Sequence, residues 1–196
     1  FIQFNRLNLV AVLPFVVLIL LVIPEFLRIF YSYKWNPAEL SACGDAARIL
    51  CLVGALRAIG FVAPPLLDGI GRPELTLRYM IVAAVAVPGS FLVGANVLGA
   101  HAGMLSVAIA WAVGYPIAFA ALSYLVVRTI DLPIRSYVRG SWGIIGCCLA
   151  GLLAGLAVSA VLPRASDVTR MLAVGGVALV VTFALISFLH DRAGDL

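Results

Sequence analysis

Two arginines lie inside an otherwise apolar stretch, and they are the residues whose chemical role is easiest to predict. Arg57 stands in the run LVGALRAIGF, and Arg48 lies nine residues before it. A guanidinium is permanently charged and donates in a planar fork that matches phosphate and carboxylate oxygens. Such a group costs about 3 kcal/mol at the centre of a membrane helix, so it is kept where it meets water, an anion or an acid. Arg57 is therefore our first candidate for binding an anionic substrate, and Arg48 is the second.

Each arginine also has a plainer interpretation. Arg57 could pair with an acid on another helix, or it could lie nearer the membrane surface than its position suggests. The nearest acid in the sequence, Asp68, is eleven residues away, too far for a pair on one helix. Arg48 follows Asp45 by three residues, a spacing that predicts a local ion pair.

Four further residues are candidates for moving parts. Glu25 and Arg28 are three residues apart near the end of the first apolar segment, which favours a local ion pair or, alternatively, a gate at the mouth of a cavity. Pro64 and Pro88 fall within apolar segments. Proline removes a backbone donor and bends a helix, and transporters use such breaks as hinges. We take these four residues as candidate hinge or gate positions.

Other chemistries find little support. The glycine-rich stretch DGIGRPELTLR, residues 68–78, lacks the glycine and lysine spacing of a dinucleotide or phosphate loop, and it predicts a turn after which Pro73 starts a helix. The two histidines, His101 and His190, have no acid and nucleophile at a recognisable spacing, and the four cysteines show no CxxC pair. We therefore expect no enzyme activity, no metal site, no cofactor and no nucleic-acid partner.

The elements that position these residues follow from composition. The chain is 64% hydrophobic and 11% charged, and its mean hydropathy is +1.14. A bilayer span needs about 20 apolar residues, and lipid offers the backbone no hydrogen bonds, so each span must be a helix. Six segments qualify: Leu7–Phe30, Ser41–Ile70, Leu75–Leu98, Ala102–Val127, Ser141–Leu162 and Met171–Leu189. The predicted fold is all-α, a polytopic membrane bundle of six transmembrane helices.

The connections suggest how the chain is organised. The loop at 128–140 is the longest polar link and divides a four-helix part, 1–127, from a terminal pair with its loop, 128–196. The uncharged link at 94–103 predicts a tight turn. In the fifth span, small residues four apart (Gly151, Gly155, Ser159) predict close helix packing. More short-loop arginines fall on the side of the two chain ends, which predicts cytoplasmic ends.

A set of motifs in the first eighty residues resembles the oligosaccharide flippases. These are the polysaccharide transporters of the multidrug/oligosaccharidyl-lipid/polysaccharide exporter superfamily. The matching positions, in order, are Leu13-Pro14, Lys34-Trp35, Pro37-Ala38, Arg48-Ile49-Leu50, Arg57, Leu66-Leu67, Gly71-Arg72-Pro73 and Leu77-Arg78. Ser32 departs from the pattern, since the family usually has glycine there. Beyond these positions only the hydropathy agrees.

The resemblance implies a function, a location and partners. It implies export of a polyprenyl-diphosphate-linked oligosaccharide, a precursor of lipopolysaccharide, O-antigen or exopolysaccharide, across the bacterial inner membrane by alternating access of two lobes. The chain begins with Phe1 in a helical pattern, so we expect it to be a C-terminal portion that works with an N-terminal lobe of the same protein and with membrane lipids. The alternatives are a drug exporter of the same superfamily, a membrane-embedded lipid- or sugar-transfer enzyme, and a structural subunit.

Overall fold

In a computed structural model, the described part of the chain forms seven α-helices. The structure describes the backbone of residues 2–130, 134–162 and 166–194; within these ranges, the side chains of 2, 4, 98, 100–102, 104, 130, 134–141 and 190–194 are not described. The helices are α1 (Ile2–Tyr31), α2 (Pro37–Gly60), α3 (Ala63–Gly69), α4 (Pro73–Ala102), α5 (Met104–Ile130), α6 (Ile134–Val161) and α7 (Asp167–Gly194). The described ranges contain no β-strand.

Six stretches of these helices are long and apolar enough to cross a membrane. They are Asn5–Tyr31, Pro37–Gly69, Pro73–Val97, Leu105–Thr129, Trp142–Val161 and Asp167–Leu189. Each overlaps one of the six predicted spans, so the prediction of an all-α polytopic membrane protein is confirmed. The second span contains two helices, α2 and α3, in succession.

The helices form two compact units. The first comprises α2 from Asp45 onward, α3, α4 and α5, with the first residues of α1 and α6. The second comprises α1 from Arg6 onward, the start of α2, α6 from Val138 onward and α7. The second unit thus joins helices from both ends of the chain. The sequence-based division into a four-helix part, 1–127, and a loop with a terminal pair, 128–196, stays a prediction.

The first unit is centred on the hairpin of α4 and α5. Gly103 alone separates the two helices and has a φ of 49°, a conformation that glycine adopts readily. The predicted turn over 94–103 is therefore wrong except at its last residue. Gly94 is a packing residue: a Cβ there would lie 2.7 Å from the Cβ of Ala110. Its smallness serves close helix approach and not a turn.

The predicted loop over 128–140 is also shorter than expected. Helix α5 continues to Ile130 and α6 begins at Ile134, so residues 128–130 and 134–140 are helical. Arg128 stays attached to its own helix, where its Nη1 donates to the hydroxyl of Tyr124 at 3.0 Å. The side chains of Arg135 and Arg139 lie outside the described residues.

The turn between α3 and α4 confirms the predicted turn in the glycine-rich stretch. The N–H of Gly71 donates to the carbonyl of Asp68 and that of Arg72 to the carbonyl of Leu67, both at 3.0 Å. This pair of hydrogen bonds, with Gly71 at a φ of 79°, is a Schellman motif. Pro73 then begins α4, where a missing N–H does no harm.

Replacing Gly71 by alanine should destabilise the protein by about 1 kcal/mol, because a Cβ disfavours the left-handed backbone. The free energy of unfolding in detergent micelles measures this effect. Gly69→Ala is the matched control, since Gly69 ends α3 without a positive φ and a Cβ there would contact nothing within 4 Å. A Gly71→Ala protein as stable as the control would contradict this account of the turn.

Glycines let the helices of the second unit pack closely against one another. A Cβ on Gly151 of α6 would clash with Thr182 Oγ1 of α7 and lie 2.9 Å from the carbonyl oxygen of Ala178. A Cβ on Gly155 would clash with Leu21 of α1, and one on Gly175 of α7 would lie 2.8 Å from Leu18 Cδ1 of α1. The predicted packing role is thus confirmed for Gly151 and Gly155, and the three helices meet at short range.

Candidate functional sites

The first site surrounds Arg57 in the last turn of α2. That helix ends at Gly60, and α3 begins at Ala63 with Pro64 in its first turn. Because Pro64 and Pro65 carry no N–H, the carbonyls of Gly60 and Phe61 receive no helical donor from them. The negative end of the α2 dipole therefore lies beside the guanidinium and favours its charge. The helix break helps to explain how an arginine is accommodated in this span.

Two tyrosines from other helices accompany Arg57. Tyr115 of α5 is buried, at 8% exposure, and Tyr79 of α4 lies close enough for the two phenol side chains to interact. Arg57 lies close enough to Tyr115 to act on it electrostatically. The side chain of Arg57 is exposed. Helices α2, α4 and α5 thus bring a cation and two phenol side chains to one region.

Arg57 has no acidic partner among the described residues. The salt bridges formed by those residues are Arg28–Asp167, Arg48–Asp45 and Arg170–Glu25. The interpretation of Arg57 as half of a structural ion pair therefore finds no support in the described part of the chain. An exposed guanidinium with tyrosine neighbours remains available to an anion.

Arg48 forms the local ion pair that its spacing predicts. Its Nη1 lies 3.4 Å from Asp45 Oδ1, and both side chains are about half exposed. This prediction is confirmed, whereas a role for Arg48 in substrate binding stays a prediction. Pro64 lies at the break after α2, and Pro88 lies within an unbroken α4; their hinge roles also stay predictions.

The second site corrects the expected pair of Glu25 with Arg28. Arg170 Nε lies 3.1 Å from Glu25 Oε1, and Arg28 Nη1 lies 3.4 Å from Asp167 Oδ1. Both acid–base pairs therefore run between α1 and α7. The local pair is wrong because α7 presents opposite charges at the same three-residue spacing, so each group of α1 finds its counterion across the helix contact. The gate hypothesis for Glu25 and Arg28 stays open.

The two pairs differ in burial. Arg28 and Asp167 are 46% and 42% exposed, whereas Arg170 and Glu25 are 22% and 5% exposed. Arg170 also donates from Nη2 to Ser159 Oγ of α6 at 2.8 Å. We call Glu25, Arg28, Ser159, Asp167 and Arg170 the α1–α7 clamp. It links α1, α6 and α7 near the end of α1 and the start of α7.

The sequence did not predict the partner residues in either site. Tyr79 and Tyr115 carry no charge in a chain rich in aromatic residues, so nothing marked them. Asp167 and Arg170 did leave a signal, because they repeat the acid–arginine order and the three-residue spacing of Glu25 and Arg28, so that two antiparallel helices bring each acid to the other helix's arginine. The side chains of His101 and His190 lie outside the described residues. Within the described residues, no cluster of three or more metal-binding side chains occurs.

Comparison of the chain with protein families, with curated proteins and with solved structures finds no match. The resemblance to oligosaccharide flippases therefore rests on the motifs quoted above. The class that the fold defines is a multi-pass, all-α membrane protein.

Proposed function

We propose that this chain is part of a flippase that moves a polyprenyl-diphosphate-linked oligosaccharide across the bacterial inner membrane. The observation that carries the proposal is Arg57: an exposed arginine, without an acidic partner among the described residues, in a membrane-spanning segment. A diphosphate is the ligand that matches an unneutralised guanidinium, through charge-assisted hydrogen bonds. Tyr79, which is partly exposed beside the buried Tyr115, offers a hydroxyl to a sugar.

The broken second span supports the same proposal. In transporters, interrupted helices lie at the substrate site because freed carbonyls and helix ends recognise polar groups there. Arg57 lies within one turn of such an interruption at Phe61 and Val62. The proposal also includes four further points. Both chain ends lie in the cytoplasm, the protein resides in the inner membrane, transport proceeds by a rocking motion of two lobes, and this chain works with a first lobe.

Binding of a labelled polyprenyl-diphosphate sugar to the full-length protein in lipid nanodiscs tests the proposal. Arg57→Ala should weaken binding by roughly 10- to 100-fold, the effect of losing a charge-assisted hydrogen bond of about 1.5–3 kcal/mol. Arg57→Lys should retain part of the affinity because the charge is kept.

Arg128→Ala is the matched control. Arg128 is also an exposed arginine of the first unit, but its guanidinium is engaged by Tyr124, so its loss should leave binding unchanged. Equal affinity of the wild type and Arg57→Ala would refute the substrate assignment. Tighter binding of a hydrophobic cation than of the diphosphate would favour a drug exporter instead.

A further inference from the structure

The α1–α7 clamp contains two buried atoms that have no hydrogen-bond partner among the described residues, Glu25 Oε2 and Arg170 Nε. Glu25 is 5% exposed, and its Oε1 lies 3.1 Å from Arg170 Nε. Its second oxygen, Oε2, is fully buried, and no described residue donates a hydrogen bond to it. A buried carboxylate oxygen without a donor is costly, because it gives up its hydration and receives nothing in return.

The surrounding charges restrict what can satisfy this oxygen. Glu25 faces Arg170 of α7, which in turn donates a hydrogen bond to Ser159 of α6. Arg28 of its own helix and Asp167 of α7 form the neighbouring exposed pair. A metal cation would be repelled by the guanidinium that already neutralises the carboxylate. A proton differs, because it binds covalently to Oε2 and turns the unsatisfied acceptor into a neutral acid.

We propose that Glu25 Oε2 is an exchangeable proton site and that its occupancy controls the α1–α7 clamp. With Glu25 ionised, its attraction for Arg170 holds the start of α7 against α1. A proton on Oε2 cancels that attraction and leaves Arg170 with a buried charge and the hydroxyl of Ser159. Arg170 is 22% exposed, so it has a route toward solvent, and the start of α7 moves away from α1, while the close contact of Gly175 with Leu18 further along α7 is kept. The exposed Arg28–Asp167 pair is too weak to hold the contact alone.

Infrared difference spectroscopy of the full-length protein in nanodiscs tests the proton site. Between neutral and acidic pH, the wild type should gain the carbonyl band of a buried protonated carboxylic acid, and Glu25→Gln should lack that band. Asp167→Asn removes only the exposed pair, so it should keep the band. Carbon-13 labelling of glutamate shows that the band comes from a glutamate, and its loss in Glu25→Gln assigns it to Glu25; Glu39 and Glu74, the other glutamates of this sequence, are exposed. The absence of a band in the folded wild type, or its persistence in Glu25→Gln, would overturn the proposal.

The clamp is tested by distance. Spin labels at Phe26 of α1 and Val168 of α7, both exposed, should move apart in the pH interval in which the band appears, and Glu25→Gln should show the longer distance at every pH. A distance that stays constant while the band appears would overturn the control of the clamp. Neither measurement needs a lipid-linked sugar, so their failure is distinct from a failure of the proposed function.

Discussion

Glu25→Ala is expected to lower the free energy of unfolding by about 3–5 kcal/mol, the cost of leaving one member of a buried ion pair without its partner. The stranded group is Arg170, which is 22% exposed and keeps only its hydrogen bond to Ser159 Oγ. Titration from a mild detergent into a denaturing one, followed by circular dichroism, measures the difference between the variant and the wild type.

Two further variants show whether burial is the cause. Asp167→Ala breaks the parallel but exposed pair and should cost less than about 1 kcal/mol. Glu25→Leu combined with Arg170→Leu removes both buried charges and should recover most of the stability lost in Glu25→Ala, because an apolar pair requires no counterion. A double variant that is no more stable than Glu25→Ala would contradict the ion-pair explanation.

Gly151→Ala is expected to destabilise the second unit by about 2 kcal/mol. The new Cβ would clash with Thr182 Oγ1 and lie 2.9 Å from the carbonyl oxygen of Ala178. Thr182 is fully buried, and its hydroxyl donates to the Ala178 carbonyl at 2.7 Å, so neither atom can yield freely. Overpacking of this kind costs about 1–3 kcal/mol. The unfolding titration described above measures it.

Gly146→Ala is the matched control on the same helix. A Cβ at Gly146 would contact nothing within 4 Å, so the substitution should be neutral or should stabilise α6 by up to about 1 kcal/mol through the helix propensity of alanine. Equal losses at both positions would show that Gly151 matters for a reason other than the contact between α6 and α7.

The spans were predictable because their cause is local. Twenty apolar residues in lipid have no alternative to a helix, so all six appear where the apolar runs lie. The ends of the spans were less predictable, as Gly94 shows. Glycine serves both turns and close helix contacts, and only the position of Ala110 on the facing helix decides between them.

The sites were predictable in part for the same reason. Arg57 was identified because a charge in an apolar run is conspicuous, and the Arg48–Asp45 pair was identified because both residues share one helix turn. The partners of Glu25 and Arg28 lie about 140 residues away in sequence, on α7. Their pairing depends on Gly155 and Gly175, which let α1 approach α6 and α7, and no local rule contains that information.

The single residue between α4 and α5 has a consequence for biogenesis. With only Gly103 outside the two helices, no polar loop needs to be threaded across the bilayer when this hairpin is made. The two segments can therefore leave the insertion machinery together, with their small faces already matched at Gly94 and Ala110. A hydrophilic insertion at Gly103 would have to be moved across the bilayer by the insertion machinery. The two helices would then enter the membrane one after the other and not as a pair.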